Sequence, residues 1–426
     1  MRPLYPTVFT LIAASLAACA QNPSRPTGQN AARSKVGGSE VATASSTVLH
    51  TTALDTGATA PAAAPTPALE VVATDQGAMW TGVTVSQAGR IFVNFPRWGD
   101  KVEYTVAELK GGKPVPYPNA DMNQLDSNKA AVHLVSVQSV VVGPDDRLWV
   151  LDTGSLRMRS PLPGGAKLVA VDLNSNQVVK SIIFPPDVAL PTTYLNDVRF
   201  NLRQGAAGVA YITDSGDEGP NGIIVVDLGS GKSWRRLSGH PSVRAAPAFV
   251  ATVEGNPFLL RPAPGVSKPI TVGADGIAIS ADGKTLFYCP MSSRHLYGVS
   301  TEALADATVS DEDVAKTVVD YGDRGYASDG LESDAAGRLY LTDYEHNAVH
   351  RRTFGPAGPA DVSDEIIAQG PNLVWPDTLS LASNGYLYFT ANQLCRQKQY
   401  NEGADLRHKP YLLLRMKVDA RPVELK

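Results

Sequence analysis

Carboxylate and amide side chains stand directly before several short apolar stretches of this chain. Their types and spacing are those of a site for binding or catalysis. They form four pairs, namely Asn196-Asp197, Asp275-Gly276, Asp329-Gly330 and Pro376-Asp377. If the fold brings these pairs together, their oxygen atoms form a site for a polar ligand or for a hard cation such as calcium. The alternative is that the pairs only make turns and cap strand ends, as Asp-Gly commonly does.

A second set of polar residues lies at the ends of the strands that follow these pairs. We expect this set to form a second layer of the same site. The predicted ligand and channel residues are therefore Asp152, Asn196, Asp197, Asp214, Asp275, Asp329, Asp343, Asp377 and Asn392. Among them, the predicted metal ligands are Asn196, Asp275 and Asp329. No residue pattern assigns a catalytic role.

These positions recur because the chain repeats. Six times, a short apolar strand and a polar turn lead into a second strand rich in large residues, at intervals of 48 to 76 residues between Ile91 and Leu387. Repeats of this length suit a blade of four short antiparallel strands. The sequence therefore predicts an all-β fold, a six-bladed β-propeller, in which equivalent positions of successive blades converge on a central channel.

Two further apolar segments predict how the ring closes. Residues 69–72 and 411–418 have the pattern of strands, and we expect these N- and C-terminal strands to share the last blade, which removes exposed edges. Helices are expected only near residues 302–305 and 311–317. The longest interval, which ends at Leu286, leaves room for a degenerate seventh blade, but six is the better count.

The N-terminal region predicts export. A short positive start is followed by an apolar run that is too short to span a bilayer and that ends in Leu16-Ala17-Ala18-Cys19. This ending resembles a bacterial lipoprotein box, so residues 1–19 are predicted to be a lipoprotein signal peptide with Cys19 as the lipidation site. A simple secretory peptide is the alternative. Because Ala20 stands where an inner-membrane retention signal usually has Asp, we expect an outer-membrane lipoprotein that faces the periplasm or the cell surface.

Composition divides the rest of the chain. Residues 20–67 are rich in Ala, Ser, Thr and Pro and predict a disordered tether, and residues 68–426 form the predicted propeller. The formal net charge of -4 gives no basic patch, which excludes nucleic acid as a partner. We expect a monomer that meets the membrane through its lipid anchor only. Whether Cys289 and Cys395 pair across the channel mouth stays open.

Several motifs, in order along the chain, resemble the major royal jelly protein / Yellow family. They are RLWVLDTG (147–154), YLNDVR (194–199), YITDS (211–215), DGIA (275–278), LFYCP (286–290), SDG (328–330) and LTD (341–343). The resemblance covers about Trp80 to Arg396 and implies a six-bladed propeller, in agreement with the repeat count. Members of this family include small-ligand binders that hold amines in the channel, storage proteins, and proteins linked to dopachrome conversion.

A more distant resemblance is to the senescence-marker protein / gluconolactonase family, which binds a divalent metal at the channel mouth. The metal ligands of that family come from an Asn-Asp, an Asn-Gly and an Asp-Gly pair and a Glu in the first blade. Asn196-Asp197 and Asp329-Gly330 match, and Asp275-Gly276 replaces the Asn-Gly pair. The Glu has no counterpart in residues 78–82, which puts lactone hydrolysis in doubt.

The leading hypothesis is an exported propeller that binds a small organic molecule in its channel, with a divalent cation, best matched by Ca²⁺, at one mouth. The rival is an enzyme, either a metal-dependent lactonase or a dopachrome-type isomerase. A third reading is a scaffold that binds other envelope proteins through loops such as residues 356–364.

Overall fold

The computed structural model describes residues 68–426, which form six four-stranded antiparallel sheets arranged as a β-propeller. The all-β prediction and the count of six blades are confirmed. The predicted signal peptide, Cys19 and the tether lie outside the described residues. No helix among the described residues is long and apolar enough to cross a membrane.

The strands of each blade follow one another in chain order, except in the last blade. Blade 1 holds β2 (Val83–Val85), β3 (Ile91–Asn94), β4 (Val106–Lys110) and β5 (Lys113–Pro116); blade 2 holds β6 (Val137–Val142), β7 (Arg147–Thr153), β8 (Ala166–Asp172) and β9 (Gln177–Ile183). Blade 3 holds β10 (Leu195–Asn201), β11 (Val209–Asp214), β12 (Gly222–Asp227) and β13 (Ser233–Arg236); blade 4 holds β18 (Ala274–Ile279), β19 (Thr285–Pro290), β20 (His295–Ser300) and β21 (Val319–Asp323). Blade 5 holds β22 (Leu331–Ser333), β23 (Leu339–Asp343), β24 (Ala348–Phe354) and β25 (Val362–Gln369); blade 6 holds β26 (Pro376–Leu381), β27 (Tyr386–Ala391), β28 (Tyr411–Lys417) and β1 (Glu70–Asp75).

Blade 6 joins the two ends of the propeller. The strand β1 pairs antiparallel with β28, from Glu70 opposite Arg415 to Asp75 opposite Tyr411. This pairing leaves the ring closed by main-chain hydrogen bonds rather than by side chains alone, and it confirms the predicted sharing of the last blade.

The blades are held together by apolar side chains that come mainly from their first three strands. Trp149 of blade 2, for example, meets Phe200 of blade 3 with ring centroids 5.0 Å apart, in a cluster that also buries Leu151 and Leu168 completely. Large alternating residues on the second strand thus fill the space between neighbouring sheets. The first strands of neighbouring blades contact one another around the axis, which places their residues along the channel.

The long interval between blades 3 and 4 contains no seventh blade. It holds two two-stranded ribbons, β14 (Thr252–Val253) with β15 (Asn256–Pro257) and β16 (Leu259–Leu260) with β17 (Lys268–Pro269). We call residues 246–273, together with residues 392–410 between β27 and β28, the cap. The two parts are bonded to each other, since Arg261 N–H donates to the Gln399 carbonyl at 2.7 Å.

Within residues 68–426 the α-helices are α1 (Thr301–Ala305) and α2 (Asp311–Lys316), as predicted, and both follow β20. Ser300 and Ser310 cap their N-termini by accepting N–H groups of Ala303 and Asp313.

Residues 419–426, which we call the strap, run past the end of blade 6. Ala335 N–H donates to the Arg421 carbonyl at 2.9 Å, and Leu202 N–H donates to the Leu425 carbonyl at 2.8 Å. The side chain of Leu425 is fully buried in the core between blades 3 and 4. The strap therefore crosses from blade 6 over blade 5 to blade 3.

Candidate ligand-binding channel

The predicted polar pairs do meet on the axis. Blades 2 to 6 each place two consecutive residues around one narrow section of the channel, namely Gln138-Ser139, Asn196-Asp197, Asp275-Gly276, Asp329-Gly330 and Asp377-Thr378. The first strand of each blade supplies its pair, or the residues just before that strand. Five of the nine predicted site residues, Asn196, Asp197, Asp275, Asp329 and Asp377, are thus brought together.

Strand irregularities aim these side chains. The pairing between first and second strands shifts register at Val137/Ser139, Leu195/Val198, Ala274/Gly276 and Pro376/Leu379, which are the channel positions of blades 2, 3, 4 and 6. An extra residue at such a shift breaks the alternation of side chains between the two faces. Residues next to each other in sequence can therefore both border the channel.

Two glycines let the blades approach closely at this section. A Cβ on Gly276 would lie 2.4 Å from the main-chain oxygen of Asp329, and a Cβ on Gly330 would lie 2.2 Å from that of Asp377. Neither contact is compatible with a side chain unless the backbone moves. The glycine in each pair is thus a packing requirement as well as a turn former.

Three buried carboxyl groups from consecutive blades share this section of the channel. Asp275 accepts Asn196 Nδ2 at 2.6 Å, Asp329 accepts Trp375 Nε1 at 2.6 Å, and Asp377 accepts Asn392 Nδ2 at 2.6 Å. Asp275 and Asp329 are also hydrogen-bonded to each other.

Burial and mutual repulsion disfavour the charged forms of these acids. Burial, followed by the charge of Asp329, raises the pKa of Asp275 and of Asp377 well above the usual value, and burial raises the pKa of Asp329. None of the three forms an ion pair with a basic side chain of residues 68–426, although such pairs are found elsewhere in the propeller. The group therefore needs protons or a bound cation.

Asp197 differs from these three because it is already paired. Its Oδ2 accepts Arg199 Nη1 at 2.8 Å, and its Oδ1 accepts the Ser139 hydroxyl at 2.6 Å. It therefore marks the end of the acidic section, on the side where Arg199 lines the other mouth of the channel.

The structure places Asp152 away from the channel cavities. Its carboxylate accepts the N–H groups of Val135 and Ser136 and, at 2.7 Å, the ammonium group of Lys167. Both members of this ion pair are buried, with side-chain exposures of 0% and 1%. Asp152 thus fixes the segment that leads into blade 2 instead of forming a second layer of the site.

Asp214 and Asp343 have similar roles inside their own blades. Asp214 accepts Tyr194 N–H at 2.9 Å and Arg235 Nη2 at 2.8 Å, and Asp343 accepts the N–H groups that follow it and the ring of His350. Asn392, in contrast, acts on the site indirectly, since it orients Asp377.

His350 lies between two carboxylates in blade 5. Its Nε2 is 3.1 Å from Asp343, its Nδ1 is 2.9 Å from Asp364, and its ring stacks on Tyr326 at 3.9 Å. Burial disfavours the charged ring, but the hydrogen bonds with Asp343 and Asp364 outweigh it and raise the pKa of His350 above 6.5.

We expect stability to fall as the pH rises through the folded-state pKa of His350. Because the folded state binds this proton more tightly, the contribution is fully present below the unfolded pKa and disappears above the raised value. Urea-unfolding midpoints from about pH 6 to about pH 9 measure this fall, which His350→Gln should flatten. His295→Gln, at a half-exposed histidine beside Asp320, is the control. An equal fall in His350→Gln and in the unchanged protein contradicts the assignment.

Above the acidic section the channel widens into a mouth lined by aromatic residues and closed on one side by the cap. This cavity has about 480 Å³ of empty volume, its open mouth included, and its lining includes Trp98, Tyr194 and Tyr400 as well as Asp275, Asp329 and Asp377. Trp98 Nε1 donates to the Tyr194 hydroxyl at 2.6 Å, and that hydroxyl donates to Gln138 at 3.0 Å. The polar atoms of Trp98 and Tyr194 are therefore already hydrogen-bonded, so these two side chains offer mainly their rings to the mouth.

Trp375, which was not predicted, shapes both the mouth and the acidic section. Its indole donates to Asp329, while its ring stacks on Tyr344 at 4.3 Å and packs against Phe258 of the cap at 4.9 Å. Its backbone is left-handed, with φ of 57°. A bulky residue holds that conformation only when its surroundings enforce it.

The donor chemistry of the acidic section suits a hard cation, but the side chains are not arranged as a finished metal site. Carboxylate and amide oxygens are the ligands that calcium prefers. Nonetheless, residues 68–426 contain no group of three or more His, Cys, Asp or Glu side chains placed to hold a metal ion. The Asn196 amide nitrogen, moreover, is bonded to Asp275.

Both cysteines within the propeller are free and buried. Cys289 lies behind Gly276, where an added Cβ would be 3.1 Å from its sulfur, and Cys395 belongs to the cap cluster. Burial raises the pKa of both thiols, to about 12 for Cys395. Arg324 acts to lower the pKa of Cys289 and Arg396 that of Cys395, but burial outweighs both, so neither thiol is activated.

Solved structures with the same fold come from several kinds of protein. A candidate gluconolactonase superposes with a TM-score of 0.51 at 11% identity, covering 85% of this chain and 95% of its own. A luciferin-regenerating enzyme superposes with a TM-score of 0.51 at 12% identity, covering 84% and 99%. At these identities the likeness shows the fold alone.

Sequence comparison is more specific. Major royal jelly protein 7 of Apis mellifera is 30% identical over 192 residues, 44% of this chain and 39% of that protein. Major royal jelly protein 1 of the same species is 26% identical over 314 residues, 65% and 68% of the two chains, and protein yellow of Drosophila erecta is 26% identical over 311 residues, 64% and 54%. The matched region thus spans well under two thirds of the first of these relatives. The family model of the major royal jelly proteins matches residues 135–425, so this chain belongs to the major royal jelly protein family.

Proposed function

We propose that this protein binds a small organic cation, an amine with an aromatic body, in the mouth of its central channel. The observation that carries the proposal is the set of three buried carboxyl groups, Asp275, Asp329 and Asp377, without a basic partner in the propeller. They lie at the floor of a cavity whose wall includes Trp98, Tyr194 and Tyr400. One carboxylate alone would be an ordinary buried acid, but three in one cavity make a cation the natural occupant.

A primary ammonium group matches this floor. It carries three N–H donors, and Asp275, Asp329 and Asp377 are acceptors when ionised. Binding of the cation removes the repulsion that holds protons on these acids, so the ligand gains charge-assisted hydrogen bonds in a site shielded from water.

The wall of the mouth matches the rest of such a ligand. Trp98, Tyr194 and Tyr400 offer ring faces and edges, which attract both aromatic rings and cations.

Calorimetric titration with 2-phenylethylammonium chloride tests this proposal, with the neutral 2-phenylethanol as its matched analogue. We expect the amine to bind and the alcohol to bind at least about tenfold more weakly, because a charged hydrogen bond is worth about 1.5 to 3 kcal/mol. Asp329→Asn should weaken amine binding by a similar factor. Asp419→Asn, at an exposed acid far from the floor, is the matched control and should leave the affinity unchanged.

Two outcomes would overturn the proposal. Equal binding of the amine and the alcohol would show that the charge of the floor is not used, and unchanged amine affinity in Asp329→Asn would place the amine elsewhere. Calcium chloride is titrated in parallel. Calcium binding that is lost in Asp329→Asn and that excludes the amine would replace the organic cation by Ca²⁺ as the occupant of the floor.

An acid–base enzyme is the second candidate, and the bond between Asp275 and Asp329 favours it. Two carboxyl groups that share a proton can give one and take one, which is what the isomerisation of an oxidised catechol or the hydrolysis of a lactone requires. Turnover of dopachrome or of a lactone by the unchanged protein, abolished in Asp275→Asn with the fold intact, would favour this candidate over a pure binder.

A further inference from the structure

The opposite mouth of the channel holds a second, separate cavity. All six blades border it, through Thr84, Val141, Phe200, Ile279, Glu332 and Leu381, and its empty volume is about 790 Å³ with its opening included. We call it the second-mouth cavity. Aliphatic and polar side chains share its wall, and Phe200 is the one aromatic residue in its lining, whereas Trp98, Tyr194 and Tyr400 line the mouth beside the cap.

The strap lies over this cavity. Pro422, Val423 and Glu424 belong to its lining, and the strap is fastened on both sides of them by the Arg421 and Leu425 carbonyls. The buried Leu425 side chain anchors the far end. The second-mouth cavity is therefore partly enclosed rather than a shallow surface depression.

The charges around it do not balance. The guanidinium of Arg199 is committed to Asp197, through Nη1 at 2.8 Å, and to the Val198 and Leu331 carbonyls. Glu332 accepts the N–H of Ser333 at 2.7 Å and makes no ion pair with any residue of the propeller. Two carboxylates, Asp197 and Glu332, therefore share one guanidinium, which leaves one negative charge uncompensated at the cavity.

Burial makes this excess costly. It raises the pKa of Glu332 although the nearby Arg199 acts to lower it. A half-buried carboxylate beside aliphatic side chains is stabilised by a cation that pairs with it and that brings apolar surface to cover those side chains.

We propose that the second-mouth cavity is a binding site for a small aliphatic ammonium ion, whose charge pairs with Glu332 and whose alkyl chain packs on Val141, Ile279 and Leu381. The site is independent of the acidic section, because Arg199 and its bond to Asp197 lie between the two. It takes an aliphatic ligand because its lining offers methyl and methylene groups with Phe200 as the one aromatic side chain.

Calorimetric titration of the full chain with n-butylammonium chloride tests this proposal, with n-butanol as the neutral analogue. We expect binding of the ammonium ion and an affinity about tenfold lower in Glu332→Gln, which keeps an acceptor for the Ser333 N–H. The control is Glu312→Gln, at an exposed carboxylate of α2 that is not part of the cavity lining, and it should stay within about twofold of the unchanged protein. Asp329→Asn, in the acidic section, should also retain binding.

Three results would overturn the proposal. These are no binding of n-butylammonium to the unchanged protein, equal affinities in Glu332→Gln and Glu312→Gln, and binding that is lost in Asp329→Asn but kept in Glu332→Gln. Urea-unfolding curves of each variant establish that the fold is intact before the titrations are compared.

Discussion

Among single substitutions in this propeller, we expect Lys167→Met to be the most destabilising and to lower the free energy of unfolding by about 3 to 5 kcal/mol. The Lys167 ammonium is fully buried and donates to the Asp152 carboxylate and to the Ala130 and His133 carbonyls. Methionine fills similar space but leaves these acceptors without a donor. The cost is therefore that of an uncompensated buried charge, and urea unfolding followed by tryptophan fluorescence measures it.

Substitution of an exposed lysine tests whether this effect comes from the buried ion pair or simply from the loss of a positive charge. Lys316→Met removes an ion pair with Asp313 whose partners are both about 60% exposed, and we expect a change below about 0.5 kcal/mol. The double variant Lys167→Met with Asp152→Asn should recover part of the loss, since the stranded charge is gone. Equal midpoints for Lys167→Met and Lys316→Met would disprove the role given to the buried pair.

Gly330→Ala should damage stability and ligand binding together. The added Cβ would lie 2.2 Å from the Asp377 main-chain oxygen and 3.1 Å from the Thr378 Cα, and both atoms belong to the backbone. Blades 5 and 6 must therefore move apart, at a cost of about 1 to 3 kcal/mol or more. The same movement separates Asp329 from Asp377, so the affinity for 2-phenylethylammonium should fall as well.

Gly370→Ala is the matched control for this substitution. Gly370 follows β25 in the same blade. A Cβ at this position would have no other atom within 4 Å, and the backbone of Gly370 is not left-handed. We expect its unfolding midpoint and its amine affinity to equal those of the unchanged protein within error. If Gly330→Ala behaves as Gly370→Ala does, the close approach of the two blades is not what holds the acidic section together.

The blade repeat is readable from sequence because each copy carries the same local signals, a turn between an apolar strand and a strand of large residues. The channel positions of Asp275, Asp329 and Asp377 can be predicted from this repeat, since equivalent positions of successive blades must meet on the axis. Gln138-Ser139 holds the same place in blade 2 but has neither Asp nor Gly, so a search by residue type misses it. Its position just before the apolar run from Val140 was the available signal.

The rest of the site depends on contacts that no local pattern shows. Asp152 and Asp214 stand at strand ends, as predicted, but their orientation is decided by N–H groups 17 and 20 positions earlier, Val135 and Tyr194. The cap is less predictable still. Its ribbons have no periodicity, and Phe258 reaches Trp375 only because the chain between blades 3 and 4 folds back over blades 5 and 6.

The charge of the channel is one-sided although the backbone around it repeats six times. Blades 4, 5 and 6 contribute Asp275, Asp329 and Asp377, which have no basic partner, to the narrow section. Blades 2 and 3 contribute the neutral amides of Gln138 and Asn196, together with Asp197, whose charge is already paired with Arg199. A ligand on this axis therefore has only one favourable rotation about it, with its cationic end toward the acidic half. Acidic side, amide side and aromatic entrance are three different points of contact. Only one enantiomer of a chiral ligand can make all three contacts at once, so the protein should bind the two enantiomers of the same amine with different affinities.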